Sequence, residues 1–216
     1  MELYPVGVRS RKINNINGLT MHVLEAGYEN KETKPCIVLL HGFPELAYSW
    51  RKILIPLANA GYYVIAPDQR GYGYTEGWND NYKGDISEFE MTNLVKDIVS
   101  LVFSLGKKSI DCLVGHDFGS IVAAHATLIR PDVFKSVVLM SAPFDGVPLI
   151  SFEVMEENII DIHKEMANLS KPRKHYQWYY STDQANKDMM NSKQGLKNFL
   201  RAYYHVKSGD WQNNIP

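Results

Sequence analysis

Cysteine is scarce in this chain of 216 residues: there are two, Cys36 and Cys112. Each sits inside an apolar, strand-like run, so both read as buried reduced thiols, and two cysteines build no disulfide framework. Long apolar runs are missing as well. None approaches the roughly 18 residues that a membrane-spanning helix needs. Met1-Glu2-Leu3-Tyr4-Pro5 has no basic-then-apolar signal, which makes a cytoplasmic location the default expectation. No excess of positive charge is present: 23 Lys and Arg face 24 Asp and Glu, for a net charge of −1. Without a basic cluster, the chain argues against nucleic acid as its main partner. There is no His-x-x-x-His or Cys-x-x-Cys spacing for a metal, and Gly71-Tyr72-Gly73 lacks the rest of a dinucleotide fingerprint. No cofactor is expected. Internal repeats and low-complexity segments are absent too.

What is present is the composition of a folded chain. Hydrophobic residues make up 45%, enough to bury a core. Val8 to Asn15 and Leu19 to Glu25 read as strands joined at Asn17-Gly18, a dipeptide that favours a type I′ turn. Cys36 to Leu40 is a short, continuous apolar run of the kind buried on both faces of a parallel sheet; Tyr62 to Ala66 and the largely apolar Ile110 to Val114 read as further strands, and Ser136 to Met140 as one more of the buried type. Between them lie helical patterns. Trp50, Ile53, Leu54, Leu57 and Ala60 recur at helical spacing, and Pro56 among them predicts a kink or a late start. Leu94, Val95, Ile98, Leu101, Val102 and Leu105 form an amphipathic stripe stopped at Gly106. Ile121 to Arg130 follows the third parallel run. After Asp145 the alternation stops. Ile159 to Leu169, Arg173 to Tyr180, Leu196 to Val206 and the residues around Trp211 are helix-like and aromatic-rich. The pattern divides the chain into an α/β part, residues 1–146, and a helical part, residues 147–216.

One stretch organises the rest: Gly115-His116-Asp117-Phe118-Gly119, between a strand and a helix. That is the context in which a G-x-nucleophile-x-G turn presents a strained elbow residue, with glycines where side chains would collide with the neighbouring strand and helix. Asp117 holds the central place. A carboxylate is charged at neutral pH and attacks without a base. Attack on saturated carbon leaves an alkyl ester, which narrows the chemistry to strained or activated carbon–oxygen or carbon–halogen bonds. Taken alone, the pattern is better read as an ordinary turn Asp ahead of a helix.

Four further motifs accompany the elbow in order: His41-Gly42-Phe43-Pro44, Asp68-Gln69-Arg70-Gly71-Tyr72-Gly73, Ser141-Ala142-Pro143 and His175-Tyr176-Gln177-Trp178-Tyr179-Tyr180. With them the chain resembles the α/β-hydrolase superfamily, and within it the soluble epoxide hydrolases. The resemblance implies an α/β fold, a mostly parallel sheet with flanking helices, joined to the start of a helical cap. It implies Asp117 as nucleophile, the backbone N–H groups of Phe43 and Phe118 as an oxyanion hole, Tyr176 as the cap proton donor, and Gln177 and Trp178 against the substrate, a small apolar epoxide. His41 and His116 read as structural, with His116 pointing away from Asp117. Asp145 stands where some relatives place the orienting acid, though a cap-hinge role suits it better. None of the seven histidines follows a last strand of the sheet. The family's catalytic His, its orienting acid, its second cap tyrosine and its C-terminal strands and helix are therefore expected beyond Pro216. An apolar Val137–Met140 edge strand points the same way. Two other functions stay open. One is a dehalogenase using the same Asp117, although Phe43 replaces the halide-binding Asn of haloalkane dehalogenases. The other is an inactive hydrolase-like protein that binds a ligand or partner.

Overall fold

A computed structural model describes residues 4–144, 146 and 161–212. The chain divides into two compact units, Met1–Pro148 and Leu149–Pro216.

The first unit is a six-stranded sheet with helices on both faces. Its strands are β1 (Arg9–Ile16), β2 (Leu19–Ala26), β3 (Cys36–Leu40), β4 (Tyr63–Pro67), β5 (Cys112–His116) and β6 (Val137–Met140), in the order β1-β2-β4-β3-β5-β6. β1, β2 and β4 pair antiparallel; β4, β3, β5 and β6 run parallel. Asn17 and Gly18 both have positive φ, 49° and 85°, as a type I′ turn requires.

β3 shows why its run is apolar without alternation. Val38 and Leu40 join a cluster with Ile65, Leu113 and the stripe of α2 (Met91–Ser104), while Ile37 and Leu39 face a second cluster with Trp50 and Leu54. Both faces of the strand are covered, so every position must be apolar. Each fully buried Leu or Ile contributes about 1.5–3 kcal/mol.

α1 (Arg51–Asn59) follows a short 3-10 turn, Ala47–Trp50, and runs through Pro56. The late start expected from that proline does not occur. Pro56 and Lys52 are both exposed, so the Lys52 carbonyl that Pro56 cannot bond lies on the solvent face of the helix. β5 begins two residues later than expected, and α3 (Phe118–Ile129) follows it directly. Cys36 is buried, but Cys112 is only partly so. Burial pushes the Cys36 thiol up to about 12, an unreactive thiol. Among the described residues β6 is an edge strand, with Val138 and Met140 exposed.

The second unit contains α4 (Ile162–Ala167), α5 (Tyr176–Tyr180), α6 (Asp183–Met190) and α7 (Gly195–Val206). Asp161 caps α4, accepting a hydrogen bond from Lys164 N at 3.1 Å. The expected helix at Arg173 starts only at Tyr176, because His175 holds the extended conformation of an N-cap. Trp211 is not helical. α6 was not expected: its Asp-Gln-Ala-Asn-Lys-Asp run carries too few apolar residues for a periodic signal. It is held by a Lys187–Asp183 pair at 3.0 Å and by the Tyr179 hydroxyl, which donates to Asp188. Tyr180 and Tyr203 bring α5 against α7, ring centroids 6.2 Å apart. Asp145 lies outside the described residues, as do Ile159 and Ile160.

Candidate active site

Asp117 sits between the last residue of β5 and the first of α3, with φ 54° and ψ −123°. A non-glycine residue there stores strain, on the order of 1–3 kcal/mol. The backbone is pinned on both sides. Asp117 N donates to Met140 O at 3.0 Å, and Ser120 N donates to Asp117 O at 2.9 Å. Ser120 Oγ, itself buried, accepts from Met140 N at 2.9 Å and lies 2.7 Å from Gly115 O, tying the elbow to β6. The flanking glycines are spatial necessities. A Cβ on Gly115 would overlap the Gly119 carbonyl, and one on Gly119 would stand 2.5 Å from Leu40 O and 2.6 Å from His41 O.

The loop after β3 supplies the partner of the carboxylate. Phe43 N donates to Asp117 Oδ1 at 3.0 Å. Phe118 opens α3, where first-turn N–H groups have no intrahelical acceptor and the helix dipole favours negative charge. His41 fixes this loop. Gln69 N donates to His41 Nε2 at 3.1 Å, so the ring proton sits on Nδ1, which donates to Gly42 O at 2.9 Å. Burial, the largest influence, lowers the His41 pKa; the ring is a neutral spacer. His116 pairs with Glu45, Nδ1 3.1 Å from Oε2.

A cavity of about 300 Å³ lies beside the elbow, lined among others by Gly42, Tyr72, Leu94, Phe118 and Val122. Tyr72 was not singled out from the sequence. It is half-buried and packs edge-on against His41, centroids 4.8 Å apart, and burial followed by the Asp117 charge pushes its hydroxyl up to about 12. Arg70 likewise carries a role that its local sequence does not signal. Its guanidinium donates to both oxygens of the buried Asp97 at 2.9 and 2.8 Å, to Glu88 at 2.6 Å and to Asn17 O at 3.0 Å. It thereby clamps the loop carrying Tyr72 to α2 and the β1–β2 turn.

Asp117, Phe43 and Phe118 thus come together in the first unit. Tyr176, Gln177 and Trp178 share α5 in the second. Tyr176 is 41% exposed and stacks on His175 at 5.5 Å, and Lys207 Nζ stands 4.6 Å over its ring. Trp178 packs edge-on against His163 at 4.9 Å. Gln177 is exposed between them.

Comparison with known proteins agrees with this fold. The model of the alpha/beta hydrolase fold family matches residues 35–187. Epoxide hydrolase 3 of Siraitia grosvenorii is 42% identical over 130 residues, 60% of this chain and 38% of that protein. Epoxide hydrolase B of Mycobacterium tuberculosis is 33% identical over 202 residues, 92% of this chain and 54% of that protein. The solved structure of potato (Solanum tuberosum) epoxide hydrolase I superposes with a TM-score of 0.70 at 30% identity, covering 91% of this chain and 56% of that one. The chain therefore spans about half, or less, of the length of these relatives. With its elbow, its sheet order and a family match over most of its length, the chain belongs to the α/β-hydrolase fold family and resembles the epoxide hydrolases within it.

Proposed function

We propose that the chain carries the nucleophilic core of an epoxide hydrolase acting on small apolar epoxides through an ester on Asp117. Residues 1–146 serve as hydrolase core and residues 147–216 as cap. Oδ2 of Asp117 attacks a ring carbon, the carbon–oxygen bond breaks, and the released alkoxide takes its proton from the Tyr176 hydroxyl. Gln177 and Trp178, on the same short helix, flank the substrate. Water then adds to the ester carbonyl, whose oxygen is Oδ1. The Phe43 and Phe118 N–H groups stabilise the charge that develops there, and a vicinal diol leaves. The proposal assigns the water-activating base to none of the seven histidines here. The observation that carries the reading is the 3.0 Å bond from Phe43 N to Oδ1: it leaves Oδ2 as the attacking atom and holds the future ester carbonyl before any substrate arrives. The roles of Tyr176, Gln177 and Trp178 rest on the family motif alone.

Incubation with styrene oxide followed by peptide mass spectrometry tests this. One adduct on Asp117, absent from Asp117→Asn, is expected. An unmodified elbow peptide from a folded sample would overturn the reading. Halide release from haloacids without epoxide alkylation would replace it by dehalogenation.

A further inference from the structure

Away from the elbow, three side chains from distant points of the sequence stand in line. Ser10 Oγ, on β1, lies 2.8 Å from His22 Nε2 on β2. Nδ1 of the same ring lies 2.7 Å from Oδ2 of Asp68, the residue after β4. Ser10 pairs with Leu24 and Lys12 with His22, so Ser10 and His22 are diagonal neighbours on one face of the sheet. Asp68 and His22 are buried, 2% and 5% exposed, while Ser10 is open to solvent.

Asp68 is fixed from elsewhere as well. Its Oδ1 accepts from Ala47 N at 2.8 Å and its Oδ2 from Tyr74 N at 3.0 Å. Burial works to raise its pKa, but the bonds from His22, Tyr74 and Ala47 prevail and hold it below the usual carboxylate range. An ionised carboxylate only accepts, so a neutral His22 carries its proton on Nδ1 and turns a lone pair on Nε2 to the Ser10 hydroxyl. A nucleophile within hydrogen-bond reach of a base, itself oriented by a third group, is the arrangement that activates serine on unrelated folds. Beside it opens a cavity of about 210 Å³, walled by Tyr4, Leu24, Leu46, Tyr48 and Tyr74 and floored by His22 and Asp68.

We propose that Ser10, His22 and Asp68 form a second reactive site, at which small activated esters acylate Ser10 while their apolar acyl group occupies this cavity. Ser10 Oγ bonds the carbonyl carbon as its proton passes to His22 Nε2. The carbon–oxygen bond to the leaving group breaks, and that group departs as the alcohol with the proton from His22. Asp68 balances the imidazolium in between. The assignment is acyl transfer onto Ser10; hydrolysis of the product is no part of it. The site shares no residue with the elbow. Asp68 follows β4 and Asp117 follows β5, two strand spacings apart in the sheet, about 10 Å.

A monoalkyl fluorophosphonate tests the site, since its phosphorus–oxygen bond forms on an activated serine as fluoride leaves. Cleavage after glutamate gives the peptide Leu3–Glu25, in which Ser10 is the only serine; trypsin would cut on both sides of it. Selective labelling of Ser10 is expected, about 100-fold faster than at the exposed Ser49, Ser87 and Ser136, none of which faces an imidazole. Ser10→Ala should abolish the adduct in that peptide. His22→Gln should slow it about 100-fold, the usual worth of a positioned base. No adduct on the folded chain, or labelling no faster than at the other serines, overturns the proposal. Undiminished labelling in a folded His22→Gln chain also overturns it. Should that variant fail to fold, the comparison among serines in the unaltered chain still decides.

Discussion

Gly119→Ala tests the geometry of the elbow with one added methyl. Gly119 lies in α3, where alanine is the better helix former, so local propensity predicts stabilisation. Packing predicts the reverse. The new Cβ would stand 2.5 Å from Leu40 O, 2.6 Å from His41 O and 2.8 Å from Leu40 C, and real Cβ atoms essentially never come within 3.0 Å. All three atoms are backbone at the end of β3, so no side chain can swing aside. Helix and strand must separate by about 0.5 Å, the difference between those distances. Overpacking of this kind costs about 1–3 kcal/mol, which in a chain of this size lowers Tm by roughly 2–12 °C. The same displacement pulls Asp117, two residues before Gly119, away from Phe43 N. Misplacing a reacting group by about 1 Å can cost on the order of 100-fold, so half of that should slow styrene oxide alkylation of Asp117 by about 10-fold. Thermal unfolding followed by circular dichroism measures the first effect, and timed mass spectrometry the second. A variant that melts at or above the parent temperature and alkylates at the parent rate would refute the packing argument.

Further expectations follow from the same contacts. Asp117→Gly should abolish alkylation yet melt within a few degrees of the parent, because relief of about 1–3 kcal/mol of backbone strain offsets the lost Phe43 bond and the added chain entropy; a large fall in Tm would show the elbow to be unstrained. Glu25→Ala should cost about 3–5 kcal/mol in urea unfolding. The fully buried carboxylate accepts from Arg9 at 2.7 Å, Arg11 at 2.6 Å and the buried Tyr63 hydroxyl at 2.6 Å; a loss under 1 kcal/mol would mean the cluster is dispensable. Acid should expose the same cluster. Burial works to raise Glu25, but Arg11, Tyr63 and Arg9 hold it below its usual range, and Asp68 is likewise low. Their stabilisation is complete above the unfolded carboxylate pKa of about 4 and is lost as pH falls through the lower folded values. Tm measured from pH 7 to 2 should therefore drop most steeply below about pH 4, and E25Q should flatten that slope.

Short-range chemistry was legible in the residues themselves. Continuous apolar runs marked β3 and β4, because strands covered on both faces admit no polar position; similar runs marked β5 and β6, although Val138 and Met140 of β6 are exposed. Asn17-Gly18 marked the hairpin, because both central residues need positive φ. The Gly-x-Asp-x-Gly spacing marked the elbow, because sterics there leave room for hydrogen alone. Helix α6 escaped notice, since it is held by polar side-chain contacts rather than by an apolar stripe. The line from Ser10 to His22 to Asp68 escaped as well, for a different reason. It joins residues 12 and 46 positions apart through strand register, which depends on how β1, β2 and β4 pair. The clamp from Arg70 to Asp97, 27 positions apart, arises the same way, from α2 packing beside the loop after β4. Local pattern determined which residues could do chemistry. Only the tertiary structure decided which of them meet, because non-local pairing is set by burial of the whole sheet and not by any one segment.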